Sequence, residues 1–248
     1  MNTCTMGYSP LKDRRFAKLA SIVAMFWMAI GSAEAQLDET RCGSLTASYG
    51  PFDYTTVRGN ELYLVESAHF TPAVEMLVRG NTGTIAGDLE YTLRVFPNHH
   101  RALLSMMRYG ERLKVAKVPN ARYEVECYFI RAVTFRPGDA VARMLFAKFL
   151  LNTGRRGEAL NQLAATEPLA GDNAFTHYNL GLSYLQAEQY AEALKQAHRA
   201  MALGFTRTEL KDQLVAKGKW KELPPPESTA PATAVDGAKA ESAPALAP

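Results

Sequence analysis

The residues best suited to chemistry in this 248-residue chain are its five histidines, two of which are adjacent. On a helix, His99 and His100 would point about 100° apart, so their rings cannot easily bind one metal ion. Because Pro97 and Asn98 come directly before them, the pair is better interpreted as the start of a helix. The sequence therefore predicts no metal site at these two histidines.

The other three histidines lack partners at the spacing that metal sites use. His177 and His198 have no His, Cys, Asp or Glu three or four residues away, and His69 has only Glu66. All three are predicted to pack or to form hydrogen bonds. We expect neither a metal ion nor an organic cofactor in this protein.

Motifs of catalytic nucleophiles and of phosphate-binding loops are missing from the sequence. No serine lies in a Gly-x-Ser-x-Gly turn, and no glycine-rich loop ends in Lys-Ser or Lys-Thr. Residues 80–84 are glycine-rich, but they lack the lysine and a preceding strand, which favours a turn between helices. An enzyme is therefore the least favoured class of function.

The first 35 residues have the order of an export signal. A stretch with four basic residues precedes an apolar run over 19–30, and a small-x-small cleavage site follows at Ala33 and Ala35. The run is too short to cross a bilayer core, which needs about 20 residues, so an uncleaved anchor is the weaker alternative. We predict a signal peptide over 1–35, cleavage before Gln36, and a periplasmic or secreted chain without a stable membrane anchor.

Removal of the signal changes the charge and the number of cysteines. The full chain has a net charge of +3, whereas residues 36–248 keep 24 Lys and Arg against 23 Asp and Glu, a net charge of +1. So small a surplus gives no electrostatic case for nucleic acid or an anionic membrane as ligand.

Two cysteines, Cys42 and Cys127, remain after removal of the signal. An oxidising compartment predicts one disulfide between them, with two buried free thiols as the alternative.

A 34-residue period organises the middle of the chain. One copy carries, in this order, His177, Leu180, Gly181, Tyr184, Ala193, Ala197 and Ala200. The order resembles the tetratricopeptide repeat (TPR), W-x2-L-G-x2-Y followed by A-x3-F and A. One period earlier, Glu158-Ala159-Leu160 matches Glu192-Ala193-Leu194. The resemblance implies an all-α, TPR-like solenoid of antiparallel helix hairpins, whereas an ordinary helical bundle with a chance match is the alternative.

The repeats define the predicted domains. A TPR-like helical domain covers 65–222, with the clearest repeats at 140–173 and 174–207 and a polar capping helix at 208–220. The small residues Ala159 and Ala193 are predicted to be buried where helices cross, because large side chains would hold the helices apart.

Less regular helices are predicted before the clear repeats. A degenerate copy has helices over 101–113 and 123–133, joined by a turn over 114–122 that is longer than a standard one. Further upstream, a helix over 72–78, with Pro at its first position, and another over 88–96 form the least regular pair.

The two ends of the mature chain lack a helical period. Residues 36–64 contain the turn signals Gly50-Pro51 and Gly59-Asn60, and we expect an irregular segment packed along the first hairpins. Residues 223–248 consist largely of Pro, Ala, Ser and Thr, which predicts a disordered tail.

Three motifs carry a narrower resemblance. They are YGPFDY at 49–54, FPNHHRAL at 96–103 and FTHYNLG at 175–181. Segments similar to them recur in a family of short exported bacterial TPR proteins of unknown role, and the likeness covers roughly Cys42 to Trp220. It implies a family and supplies no activity.

The TPR resemblance implies a concave groove lined by the first helix of each hairpin. With Ala140 and Ala174 as position one, the groove-facing positions include Met144, Lys148, Leu151, Asn152, Phe175, Tyr178, Asn179, Leu182 and Gln186. TPR domains that hold a peptide's C-terminal carboxylate use Lys and Asn at related positions. The match is partial, because Leu145 stands where a polar residue would be needed, and an ordinary mixed surface is the alternative.

Two functions follow as hypotheses. The leading one is a non-enzymatic adaptor in the bacterial envelope that binds an extended peptide or a partner helix of another protein in the groove. The alternative is a structural component of an envelope assembly, docked through its convex face or its N-terminal segment.

Overall fold

A computed structural model describes residues 39–222, and in this range the protein is all-α, as the sequence predicts. The described part contains eleven α-helices and no β-strand. It divides into two compact units, residues 39–169 and residues 170–222. The predicted signal peptide (1–35) and the predicted disordered tail (223–248) lie outside the described residues.

The first unit contains eight helices. They are α1 (Glu39–Cys42), α2 (Glu61–His69), α3 (Pro72–Glu75), α4 (Ile85–Val95), α5 (His100–Leu113), α6 (Val125–Phe135), α7 (Ala140–Asn152) and α8 (Arg156–Thr166), and a single 3-10 turn (Glu167–Leu169) follows. From α4 onward each helix packs against the next, α5 also packs against α7, and the short α1 lies against α6.

The second unit contains three helices that all pack against one another. They are α9 (Ala174–Gln186), α10 (Tyr190–Ala202) and α11 (Glu209–Ala216). Gly181 lies where α9 approaches its neighbours most closely, because a Cβ atom there would be 2.4 Å from Leu210 Cδ2 and 3.3 Å from Gln196 Cβ.

Four helices begin with the same type of side-chain cap. Thr84, His99, Asp139 and Asn173 each accept a hydrogen bond from the backbone N–H three residues further on. Such a cap satisfies one of the donors that the first turn leaves unpaired. The interpretation of His99 and His100 as a helix start is thereby confirmed.

Several helix ends differ from the sequence predictions. The helix predicted over 72–78 ends at Glu75, because Leu77 has a positive φ of 59° that a helix cannot accommodate. Helix α2 already begins at Glu61, inside the segment predicted to be irregular. The predicted capping helix ends at Ala216, shortly before Gly218 with φ +66°.

Small and aromatic residues form the core where helices cross. Ala159 and Ala193 are fully buried, which confirms the prediction made for them. In the first unit, the ring of Phe129 stacks on the rings of Phe146 and Phe149, with centroids 5.7 and 5.2 Å away. Apolar burial of this kind is the main force that holds a helical fold together.

The segment between α1 and α2 packs along the first helices, as expected. Phe52 lies against a cluster that contains Val65, Val95 and Phe96, and its N–H donates to Val95 O at 2.8 Å. The side chain of Asn98 is also fully buried, and it accepts a hydrogen bond from Tyr54 N.

Candidate functional site

The predicted groove residues of the first unit differ in exposure along α7. Met144 is buried, Leu151 is half-buried, and Lys148 and Asn152 are exposed. Lys148 and Asn152 lie one turn apart on the helix, so they share a face. Asn152 donates a hydrogen bond from Nδ2 to Glu111 Oε1 of α5 at 2.6 Å.

The predicted groove residues of the second unit lie on α9. Tyr178 is buried, with its ring 4.4 Å from that of Phe205 and its hydroxyl donating to Glu209. Phe175 is 59% exposed, whereas Asn179 uses its Nδ2 group to donate to Phe175 O one turn earlier. Leu182 is half-buried and Gln186 is exposed.

The first unit contains a cleft of about 530 Å³ at the C-terminal ends of α5 and α7 and the start of α6. Its apolar wall is made of Met107, Val115, Ala116, Val125 and Phe149. Of the predicted groove residues, Asn152 lines it. The volume falls within the range of sites that hold small molecules or side chains.

The long turn over 114–122 builds one side of this cleft. Helix α5 ends at Leu113, and the capping residue Lys114 adopts the left-handed conformation (φ 56°). The side chain of Val118 is completely buried, which anchors the turn. In addition, Ala116 O accepts a hydrogen bond from Val125 N at 2.8 Å. The long turn therefore supplies an ordered wall of the cleft.

Most charges at the rim of the cleft are paired. Glu126 accepts hydrogen bonds from both Arg41 and Arg155, and Arg41 also contacts Glu124 at 2.6 Å. The carboxylates of Glu158 and Glu126 raise the pKa of Arg155, so it stays a cation.

The histidines of the first unit are engaged in hydrogen bonds, which confirms the role predicted for His69. Its Nδ1 atom lies 2.9 Å from Asp88 Oδ1. His99 accepts from Ala102 N at Nδ1, so its Nε2 carries the proton and donates to Glu66. His100 contacts both oxygens of Asp139. Within residues 39–222, no group of three or more His, Cys, Asp or Glu could hold a metal ion.

In the second unit, His177 and His198 also form hydrogen bonds, as predicted. His177 lies between Gln196 Oε1 and Gly171 O, at 2.7 and 2.9 Å. His198 contacts Lys221 O, and its ring lies 4.5 Å from that of Trp220.

Sequence reasoning did not identify the residues that complete the cleft. Glu111 and Arg155 lie outside the predicted groove positions, and the walls come from three helices and a turn. The unusual length of the turn over 114–122 is the one signal in the sequence that points to this place.

The comparisons with known proteins give no further guide to the site. No protein-family model matches the sequence, and no characterised protein is similar enough to match it. Across residues 39–222, no helix has both the length and the apolar character needed to cross a membrane.

Proposed function

We propose that this protein is a non-enzymatic binding protein of the bacterial envelope that holds an extended peptide or a partner helix on a TPR-like helical array. The observation that carries the proposal is the 530 Å³ cleft in the first unit, which combines an apolar wall with a polar rim that includes Asn152. An apolar side chain of a partner would enter the cleft, while its backbone would meet the amide of Asn152.

The regular spacing of the helices supports the TPR part of this proposal. Helix α7 begins at Ala140 and α9 begins at Ala174, 34 residues later. Helix α8 begins at Arg156 and α10 begins at Tyr190, again 34 residues later. The offset equals the TPR period. The capping residues Asp139 and Asn173 follow the same offset.

The chemistry of the cleft favours a partner with an apolar anchor. Burial of one large apolar side chain contributes roughly 1.5–3 kcal/mol, which suits a peptide that uses several weak contacts. Glu111 at the rim accepts a hydrogen bond from Asn152, and its carboxylate would also attract a basic residue beside the anchor.

The proposed location is the periplasm or the exterior of the cell. The order of basic, apolar and small residues at the N-terminus supports export, and the disulfide between Cys42 and Cys127 is typical of an oxidising compartment. Mass spectrometry of the protein purified from cells should find Gln36 as the first residue. Retention of Met1 would contradict this part of the proposal.

Selection from a random peptide library, followed by fluorescence anisotropy with a selected peptide, tests the binding function. Val115→Glu should weaken binding at least tenfold, because it places a charge on the cleft wall. Leu113→Glu is the matched control, since both side chains are 40% exposed and Leu113 lies outside the cleft. Selection of no peptide, or equal loss in both variants, would refute the proposal.

A further inference from the structure

A second, smaller cavity of the first unit has a different chemical character. It measures about 40 Å³ and lies among the segment after α1, helix α4 and helix α6. Three arginines and four hydroxyl groups line it, namely Arg94, Arg122, Arg131, Ser44, Thr46, Tyr123 and Tyr128. None of these residues lines the large cleft, so the two sites are independent.

Arg131 is the central donor of this cavity. It is only 3% exposed, and its Nη1 atom donates to the carbonyls of Cys42, Gly43 and Ser44 at 3.1, 2.9 and 2.7 Å. All three of these bonds use Nη1 and none uses Nε or Nη2, while the guanidinium also lies over the ring of Tyr123, 5.4 Å from its centroid. Burial lowers the pKa of Arg131, but a guanidinium remains charged in proteins. The buried cation therefore has donors left over.

Tyr128 supplies a second donor without a partner. Its side chain is 2% exposed, the backbone of Tyr123 lies beside its hydroxyl oxygen, and no described residue accepts its hydroxyl proton. Buried hydroxyl groups are nearly always paired, so a hydroxyl proton that faces a cavity without an acceptor is a donor available to a ligand. Tyr128 and Arg131 lie on the same helix, three residues apart.

The balance of charge at the cavity is positive. Arg94 stacks over the ring of Tyr91 and forms no ion pair with a described residue. Arg122 lies 3.6 Å from Glu90, the one carboxylate among the lining residues. Three guanidinium groups against one carboxylate leave a local charge of +2.

We propose that this cavity binds a phosphate group, either as free inorganic phosphate or as the terminal phosphoryl group of a larger molecule. One water needs roughly 10–15 Å³ of such volume, so the cavity of about 40 Å³ holds about three to four oxygen-sized groups, and the four oxygens of a phosphate would fill it. Arginine forks and hydroxyl groups are the donors that phosphate oxygens prefer. A phosphate that carries two negative charges neutralises the local charge of +2, whereas a carboxylate, with one negative charge, would leave a charge of +1.

The disulfide holds one wall of this site in place. Ser44 follows Cys42 by two residues, and Cys42 is bonded to Cys127, the residue next to Tyr128. Reduction of the disulfide would leave this wall held to α6 by the hydrogen bonds of Arg131 and the ion pairs of Arg41 alone, and phosphate affinity should fall as a result.

Isothermal titration calorimetry in a low-salt, phosphate-free buffer tests the site with inorganic phosphate, glycerol phosphate and acetate. We expect saturable one-to-one binding of phosphate and much weaker binding of acetate. If glycerol phosphate binds as well as phosphate, the site takes a phosphoryl end; if it does not, the site takes the free anion.

Variants locate the binding. Arg94→Gln should weaken phosphate binding about tenfold, while Arg108→Gln, the same change at an exposed arginine of α5 away from the cavity, should not. Tyr128→Phe removes a hydroxyl whose proton has no acceptor among the described residues, so it should weaken phosphate binding with little change in the melting temperature. Absence of saturable binding, equal affinity for acetate, or equal effects of the two arginine variants would overturn the proposal.

Discussion

Cys42, at the end of α1, is bonded to Cys127 of α6, with the two Cα atoms 5.0 Å apart although 85 residues separate them in sequence. The predicted pairing is confirmed, and both cysteines are completely buried. Arg41 adds ion pairs to Glu124 and Glu126 beside the disulfide. The start of the described chain is therefore fixed to α6 by covalent and ionic contacts together.

Loss of the disulfide should destabilise the first unit. The Cys42→Ala, Cys127→Ala double variant should lose roughly 2–4 kcal/mol of unfolding free energy in urea titrations, because a long loop in the unfolded chain is no longer closed. Thiol titration of the denatured, unreduced wild type should find no free thiol. Two reactive thiols in that sample would show that the purified protein lacks the bond.

Enlargement of Ala193 should overpack the crossing of α9 and α10. Ala193→Leu should cost on the order of 1–3 kcal/mol, since the site is fully buried and has no room for three more carbon atoms. Ala191→Leu, an exposed position two residues earlier on the same helix, is the matched control. Equal melting temperatures for the two variants would mean that the crossing is not tightly packed.

Gly50 should not tolerate a side chain. Its φ is +83°, and a Cβ atom would lie 2.8 Å from the backbone oxygen of Val95. Gly50→Ala should therefore cost about 1–3 kcal/mol by thermal or urea unfolding. Gly138→Ala is the control, because nothing lies within 4 Å of a Cβ atom there, and its unfolding free energy should change by less than about 0.5 kcal/mol.

Asp53 should make stability depend on pH in the acid range. Burial raises the pKa of Asp53, but hydrogen bonds from Asn98 and Thr55 outweigh it and bring the pKa from 3.8 to about 2. Because the folded protein favours the ionised carboxylate, Asp53 stabilises the fold at pH values above the pKa that it has in the unfolded chain. This contribution is lost as the pH falls from about 4 to 2.

The Asp53→Asn variant isolates this contribution. Its melting temperature should lie below that of the wild type at pH 6, and the difference should shrink as the pH approaches 2. Asp172→Asn, at a side chain that is 82% exposed, serves as the control for a surface carboxylate. A difference between Asp53→Asn and wild type that stays constant from pH 6 to 2 would contradict the assignment.

Local patterns in the sequence were sufficient for much of the helical architecture. The repeat of Ala159 and Ala193 predicted their burial, and the Pro97-Asn98 pair predicted the start of α5 correctly. These features depend on neighbours within one or two helical turns, where spacing alone determines which side chains share a face. The disulfide was also predictable, because only two cysteines remain beyond the predicted cleavage site.

The positions of the cleft and of the arginine-lined cavity could be found only from the tertiary structure. The cleft joins Met107, Val125 and Phe149 from three helices, and the arginine cavity joins Ser44, Arg94 and Arg131 from segments far apart in the chain. A helical period describes which face of a helix is buried, but it does not specify which distant residues meet there. The long turn over 114–122 was visible in the sequence, whereas its role as a cleft wall was decided by the burial of Val118 and by the way its backbone bonds to α6.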